Sequence, residues 1–240
     1  MKLASVLENH NIEAMAKTVA KQEQPNLWES GFKHIFCACR KYPDLSPNVE
    51  ASSEEETLRK WIRKYKNGSE SRISRRISNL PGTIADPIID TIINSRFPHL
   101  NDKALKQIKF AHRLSMSAEN ILGLLLEEYL AEQLVRFKWH CAWGESIRSV
   151  DFCSERQELL QIKNRSNSEN SSSSRVRQGT TIEKWFRVHA NTGAYMWDEL
   201  NQRFRVNDFS EDAFKAFVKR VLQKNPAALA VEEENPWQTA

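Results

Sequence analysis

The chain has 240 residues, of which 40% are hydrophobic and 28% are charged, and its formal net charge is +4. A chain of this length and composition can bury a sizeable core, which excludes disorder over its whole length. No apolar run reaches the roughly 18 residues of a membrane helix, and the first 20 residues are unlike a secretory signal, so we expect a cytoplasmic protein. The mild positive charge permits a nucleic-acid partner without requiring one.

The first hundred residues predict a mostly helical region, with candidate helices at residues 1–21, 27–40, 54–66, 86–95 and 101–113. Ser53 precedes three acidic residues, and the segment then turns basic, a pattern typical of a capped helix that follows its dipole. Residues 69–79, SESRISRRISN, are strongly basic through Arg72, Arg75 and Arg76. A solvated helix face explains them, and contact with phosphates is the alternative.

From about residue 115 the pattern changes. Residues 117–137 predict a long apolar helix, and two alternating runs at residues 146–153 and 158–163 predict a β-hairpin. The following segment, NRSNSENSSSSRVRQG, is too rich in Ser and Asn to form a core element by itself. Further helices are predicted at residues 181–189, 194–204 and 210–224, and the tail VEEENPWQTA reads as loosely held.

The predicted hairpin gathers groups that suit phosphodiester hydrolysis. If residues 155–157 form its turn, Asp151 lies opposite Gln161, and Asp151, Gln161 and Lys163 project from one face. The other face would carry the apolar side chains of Val150, Phe152, Leu160 and Ile162. The oxygens of Asp151 and Gln161 can hold Mg²⁺. Lys163 can orient or help to deprotonate the attacking water and offset the charge that develops on the phosphate.

The preceding helix offers a further ligand. Gly123 and Glu127 lie one turn apart, so a glycine there would let the helix approach the sheet while Glu127 points towards the metal. Glu127 and Glu128 are unusual in so apolar a helix, and a carboxylate near a buried face is a functional candidate. Glu128 and, two turns earlier, Glu119 are the alternatives to Glu127.

These residues carry a resemblance to known nucleases. Gly123-Leu-Leu-Leu-Glu127, Val150-Asp151 and Gln161-Ile162-Lys163 are similar to the signature of the PD-(D/E)XK nucleases. The Gly-x-Leu-Leu-Glu-x-Tyr-Leu run also resembles the corresponding helix of the mismatch-repair nicking endonuclease MutH. Residues 116–197 resemble the SinI family of type II restriction enzymes, most specifically in LLQIKNRSNSENSSSSRVR.

The resemblance implies an α/β fold with a restriction-endonuclease-like core, in which helices flank a central mixed β-sheet. We expect a helical region over residues 1–110 for DNA contact or dimerisation, a catalytic and recognition core over 111–225, and a loosely held tail over 226–240. The implied activity is Mg²⁺-dependent cleavage of both strands of DNA at GGWCC, leaving 5′-phosphate and 3′-hydroxyl ends. The implied enzyme is a homodimer, because a two-fold symmetric site is most simply read by a two-fold symmetric protein. A cognate DNA methyltransferase would share the site without needing to bind the enzyme.

The chain departs from the usual signature at one position. Gln161 occupies the second position that is acidic in the usual signature. Some restriction enzymes of this class accept an amide there. The substitution removes one negative charge, which leaves open how many metal ions are bound.

The polar segment after Lys163 is the candidate for DNA recognition, with a solvated loop as the alternative. Asn pairs well with adenine and Arg with guanine, while Ser side chains can hold phosphates. The candidate DNA-binding residues are Asn164, Arg165, Asn167, Ser168, Glu169, Asn170, Ser172, Arg175 and Arg177.

The chain offers other candidate sites and functions. Cys37 and Cys39 with His34 resemble half of a zinc site, but no second ligand pair stands at a recognisable spacing, and His140 and His189 read as ordinary packed or surface residues. Two rival functions are a DNA-binding regulator without chemistry and a related nuclease that nicks or resolves branched DNA.

Overall fold

A computed structural model describes residues 1–82, 86–165 and 182–237. The helices are α1 (Leu3–Leu7), α2 (Ile12–Glu23), α3 (Lys33–Lys41), α4 (Glu54–Glu70), α5 (Ile88–Arg96), α6 (Asp102–Leu134), α7 (Trp197–Phe204) and α8 (Glu211–Lys224). The strands are β1 (Trp139–Cys141), β2 (Phe152–Ser154), β3 (Leu159–Arg165) and β4 (Ile182–Val188). The chain divides into two units, one formed by Met1–Arg72 with Leu126–Phe217 and the other by Ile73–Leu125 with Val218–Ala240.

The N-terminal helices of the first unit follow their sequence signals, with two adjustments. Ser53 caps α4 by accepting a hydrogen bond from the backbone N–H of Glu56 at 3.2 Å, which confirms the predicted start of that helix. The single helix predicted for residues 1–21 is two helices, separated by a turn in which the side chain of Asn9 accepts from the backbone of Asn11. A kinked turn, Trp28–Phe32, precedes α3, with Gly31 at the kink.

The core between these helices and the sheet is built from large aromatic side chains. Trp28, Phe32, Phe36 and Trp61 are fully buried, and the rings of Phe32 and Trp61 meet edge to face with centroids 4.9 Å apart. The indole N–H of Trp61 donates to the carbonyl of Ser146 at 2.9 Å, so this buried polar group has a partner.

The four strands form one mixed sheet in the order β1-β2-β3-β4. β1 and β2 are antiparallel, as are β2 and β3, whereas β3 and β4 are parallel. Phe152 pairs with Leu160, and the backbone N–H of Ser154 donates to the carbonyl of Glu158, so the predicted register of the hairpin is confirmed. The protein is therefore an α/β protein with a central mixed sheet.

Both faces of the hairpin carry buried apolar side chains, whereas the prediction placed the apolar side chains on one face only. Cys153 and Leu159 lie on the same face as Asp151, and they pack into the core with the N-terminal helices. Val150 joins that core instead of sharing a face with Phe152, because Ser149 has a positive φ of 62° and interrupts the strand alternation. Only the last two residues of the run predicted at 146–153 are strand, and the strand continues to Ser154.

The helix predicted for residues 181–189 is wrong, since this segment is strand β4. Its apolar residues Ile182 and Trp185 are three apart, a spacing that also suits a helix, but the parallel pairing with β3 decides the outcome. On the far face of the sheet, Trp185, Trp197 and Phe214 form an aromatic core with Tyr129 of α6.

The second unit is helical. The two helices predicted for residues 101–113 and 117–137 are one continuous 33-residue helix, α6, whose last residues belong to the first unit. The basic stretch at residues 69–79 is not a helix beyond Glu70; its later part is fixed by Asn225, whose side chain donates to the carbonyls of Ile73 and Arg76. None of the described helices is both long and apolar enough to cross a membrane.

Candidate active site

Asp151 is held firmly by the backbone of the sheet. Its N–H donates to the carbonyl of Leu160 at 3.0 Å, and its carbonyl accepts from the N–H of Ala142 at 2.8 Å. Its carboxylate oxygen Oδ2 accepts from the N–H of Ile162 at 2.7 Å. The carboxylate is thus fixed between the two residues of β3 that the sequence places in the site, Gln161 and Lys163.

Asp151, Gln161 and Lys163 line one cleft of about 490 Å³, all within the first unit. Gln161 is only 5% exposed, whereas Asp151 and Lys163 are partly exposed. The three residues whose carboxylate, amide and ammonium groups were predicted to converge therefore line one cleft. The remaining lining residues are Pro47, Asn48, Lys64, Glu145, Ile147, Arg148, Ser149 and Val150.

Glu127 of α6 lies beside this cleft without lining it. Its carboxylate oxygen Oε1 accepts from the thiol of Cys141 on β1 at 3.3 Å. Burial and, next, the negative charge of Asp151 raise the pKa of Glu127 from 4.5 to about 7. Glu127 and Asp151 are therefore close enough to influence each other's ionisation.

The other candidates on α6 have different surroundings. Glu128 is buried, with 2% of its surface exposed, and Glu119 is exposed. A Cβ at Gly123 would meet no atom of the described residues within 4 Å.

The cleft also contains basic residues that sequence reasoning missed. Lys64 reaches it from α4 and lies 3.7 Å from the carboxylate of Glu145. Two glycines make this approach possible: a Cβ on Gly68 would lie 2.3 Å from the backbone nitrogen of Gly144, and Gly144 has a positive φ of 66°. Arg148 enters from the loop before β2. Only the tertiary fold brings these residues to the cleft, so no local sequence pattern predicts their position there.

The start of the predicted recognition segment is anchored at the end of β3. The amide oxygen of Asn164 accepts from Nε of Arg187 at 2.8 Å, and Nη1 of Arg187 donates to Glu211 at 2.6 and 2.8 Å. Arg165 is exposed. Seven of the predicted DNA-binding residues lie outside the described residues: Asn167, Ser168, Glu169, Asn170, Ser172, Arg175 and Arg177.

Comparison with known proteins assigns a family to this fold and site. A family model described as the SinI restriction endonuclease matches residues 13–224. The chain belongs to the SinI restriction endonuclease family. It is 36% identical over 225 residues to the type II restriction enzyme Eco47I of Escherichia coli and 36% identical over 222 residues to the type II restriction enzyme SinI of Salmonella infantis. Each match covers 89% of this chain and 95% of the relative.

Membership of the SinI family agrees with the resemblance found in the sequence. Enzymes of this family are type II restriction endonucleases, which are site-specific deoxyribonucleases.

Proposed function

We propose that this enzyme cleaves both strands of double-stranded DNA at GGWCC in a Mg²⁺-dependent reaction that leaves 5′-phosphate and 3′-hydroxyl ends. The observation that carries the proposal is the convergence of Asp151, Gln161 and Lys163 in one cleft. The specificity rests on the resemblance to the SinI family.

The donor atoms fit Mg²⁺. Asp151 and Glu127 offer carboxylate oxygens and Gln161 an amide oxygen, the hard ligands that this ion takes in proteins together with water and phosphate. These three residues would hold the ion. When bound, it would neutralise negative charge that accumulates on the scissile phosphate.

The protein groups have separate tasks in the proposed reaction. Lys163 positions the attacking water and offsets the negative charge that develops on the phosphate. The N–H of Ile162 fixes the carboxylate of Asp151, so the orientation of this ligand is set before DNA arrives. Lys64 and Arg148, which line the same cleft, supply positive charge for the phosphates of the backbone.

Recognition is assigned to the segment that begins at Asn164. The hydrogen bond and ion pairs from Asn164 through Arg187 to Glu211 anchor the segment where it leaves the sheet, and Arg165 follows as an exposed cation. Asn164 and Arg165, with the seven residues outside the described ranges, are proposed to contact DNA.

The proposed enzyme is a homodimer. Helix α5 supports this because it buries none of its residues, and Ile88, Ile89 and Ile92 are all exposed. An apolar helix face of this kind suits an isologous contact with a second copy of the chain.

Two duplexes that differ only in the central base pair test the function and its specificity. With Mg²⁺, a duplex that contains GGACC should be cut on both strands, and one that contains GGGCC at least about tenfold more slowly. No cutting should occur in EDTA. Equal cutting of both duplexes would refute the GGWCC assignment and leave the nuclease assignment standing.

The same assay separates the rival functions. Binding to GGACC without any cleavage in Mg²⁺ or Mn²⁺ would indicate a regulator. A cut confined to one strand would indicate a nicking enzyme.

A further inference from the structure

A second cluster of ligating side chains lies at the other end of the hairpin from Asp151. His34 of α3, His140 of β1 and Glu155 of the β2–β3 turn place their ligand atoms within 4.8 Å of one another. Nε2 of His34 and Nε2 of His140 lie 3.9 and 3.8 Å from the same carboxylate oxygen, Oε1 of Glu155. Two imidazoles and a carboxylate are a common ligand set for zinc and related ions.

One atom of this cluster lacks the partner that its burial demands. Nε2 of His140 is buried and makes no hydrogen bond within the described part of the chain, since 3.8 Å to Glu155 is too long for one. A buried polar atom without a partner is costly and calls for an explanation. An ion between the rings and the carboxylate would supply the missing interaction.

The surroundings keep the cluster ready for a cation. Both imidazole rings are partly buried, and a metal is bound through the lone pair of a neutral imidazole nitrogen. Nζ of Lys138 lies 3.7 Å from Oε2 of Glu155, whereas both rings lie near the other oxygen, Oε1.

The backbone is shaped around the His140 ring. Gly31 lies at a kink before α3 with a φ of 131°, and a Cβ there would lie 3.1 Å from the hydroxyl of Tyr65 and 3.2 Å from Nδ1 of His140. Any other residue at position 31 would crowd the ring and strain the backbone.

We infer that His34, His140 and Glu155 form a transition-metal site, separate from the cleavage site, that takes Zn²⁺ or Ni²⁺ and joins α3 to the β-hairpin. The rings are now stacked with centroids 4.2 Å apart and planes 7° apart. An ion lies in the plane of each imidazole that binds it, so one ring must turn, and His34 is the more exposed of the two. Mg²⁺ is not expected here because it prefers oxygen ligands.

The test is calorimetric titration of the chelator-treated, full-length protein with Zn²⁺. The wild type should bind one ion per chain, and a large excess of Mg²⁺ should not displace it. Glu155→Gln, in an exposed turn, and His140→Gln should each weaken binding at least tenfold. Thermal unfolding without metal should show that both variants fold, and added Zn²⁺ should raise the Tm of the wild type alone.

Three control variants define the site. His10→Gln removes an exposed histidine, and Cys37→Ser removes a half-buried thiol. Asp151→Asn removes a proposed ligand of the cleavage site. None of the three should change the Zn²⁺ affinity. An absence of Zn²⁺ binding, or binding that survives both Glu155→Gln and His140→Gln, would overturn the inference. Loss of binding in Asp151→Asn would place the ion at the cleavage site instead.

Discussion

Replacement of Glu127 by Gln should make the metal-free protein more stable at alkaline pH. The carboxylate is buried beside Asp151, and its pKa is raised from 4.5 to about 7. The native state therefore binds more protons than the unfolded state between these values, and the stability of the wild type falls as pH rises through this window. A difference of one in pKa corresponds to about 1.4 kcal/mol, so the full interval corresponds to roughly 3 kcal/mol.

The neutral amide of Glu127→Gln avoids the cost of ionising a buried carboxylate, and it keeps the shape of the side chain. In urea unfolding with EDTA, followed by circular dichroism, the free energy of unfolding of the variant at pH 8 should exceed that of the wild type by up to about 3 kcal/mol. The difference should disappear by about pH 4.5. Glu119→Gln, on the exposed part of the same helix, should show no such difference.

Cleavage should respond in the opposite direction. Glu127→Gln should lose activity, because it removes a charged ligand from the proposed metal site. A variant that is no more stable than the wild type at pH 8, or whose advantage is the same at pH 5 and pH 8, would refute the reasoning.

Three further predictions follow from other parts of the chain. Gln161→Glu should lower the Mg²⁺ concentration for half-maximal cleavage several-fold, since it adds negative charge to the cleft; an unchanged Mg²⁺ titration would remove Gln161 from the metal site. Glu23→Gln should lower the free energy of unfolding by about 1 kcal/mol at pH 7. It breaks the ion pairs of Glu23 with Arg63 and Arg59, and these pairs lower the pKa of Glu23. This stabilisation is present above pH 4.5 and is lost as pH falls through the lowered pKa, so urea unfolding should show the two proteins converging in acid. Ile92→Glu should shift the protein towards monomer in light scattering, and a dimer that persists would show that α5 is not the interface.

The sequence predicted those features that depend on local patterns. The cap at Ser53 was predictable because a hydroxyl before an acidic first turn satisfies free N–H groups of the helix, and this cap is present. The register of the hairpin was predictable from the position of its polar turn at residues 155–157, which placed Asp151 opposite Gln161.

The remaining features depend on contacts between distant residues. Strand β4 was misread because Ile182 and Trp185 suit either a helix or a strand, and only the pairing with β3 selects the strand. Lys64 was missed because it enters the cleft through the contact between Gly68 and Gly144. The pairing of His34 with His140 likewise arises from the packing of α3 on β1, which no spacing in the sequence encodes.

The most direct test of the cleavage site is single-turnover cleavage of a GGACC duplex by Lys163→Ala, measured beside its binding to the same duplex in Ca²⁺. The rate should fall at least about a hundredfold while specific binding stays within a few-fold of the wild type. Lys215→Ala, which removes an exposed lysine of α8, should cut at the normal rate. Normal cleavage by Lys163→Ala would contradict the assignment of the chemistry to the Asp151, Gln161 and Lys163 cleft.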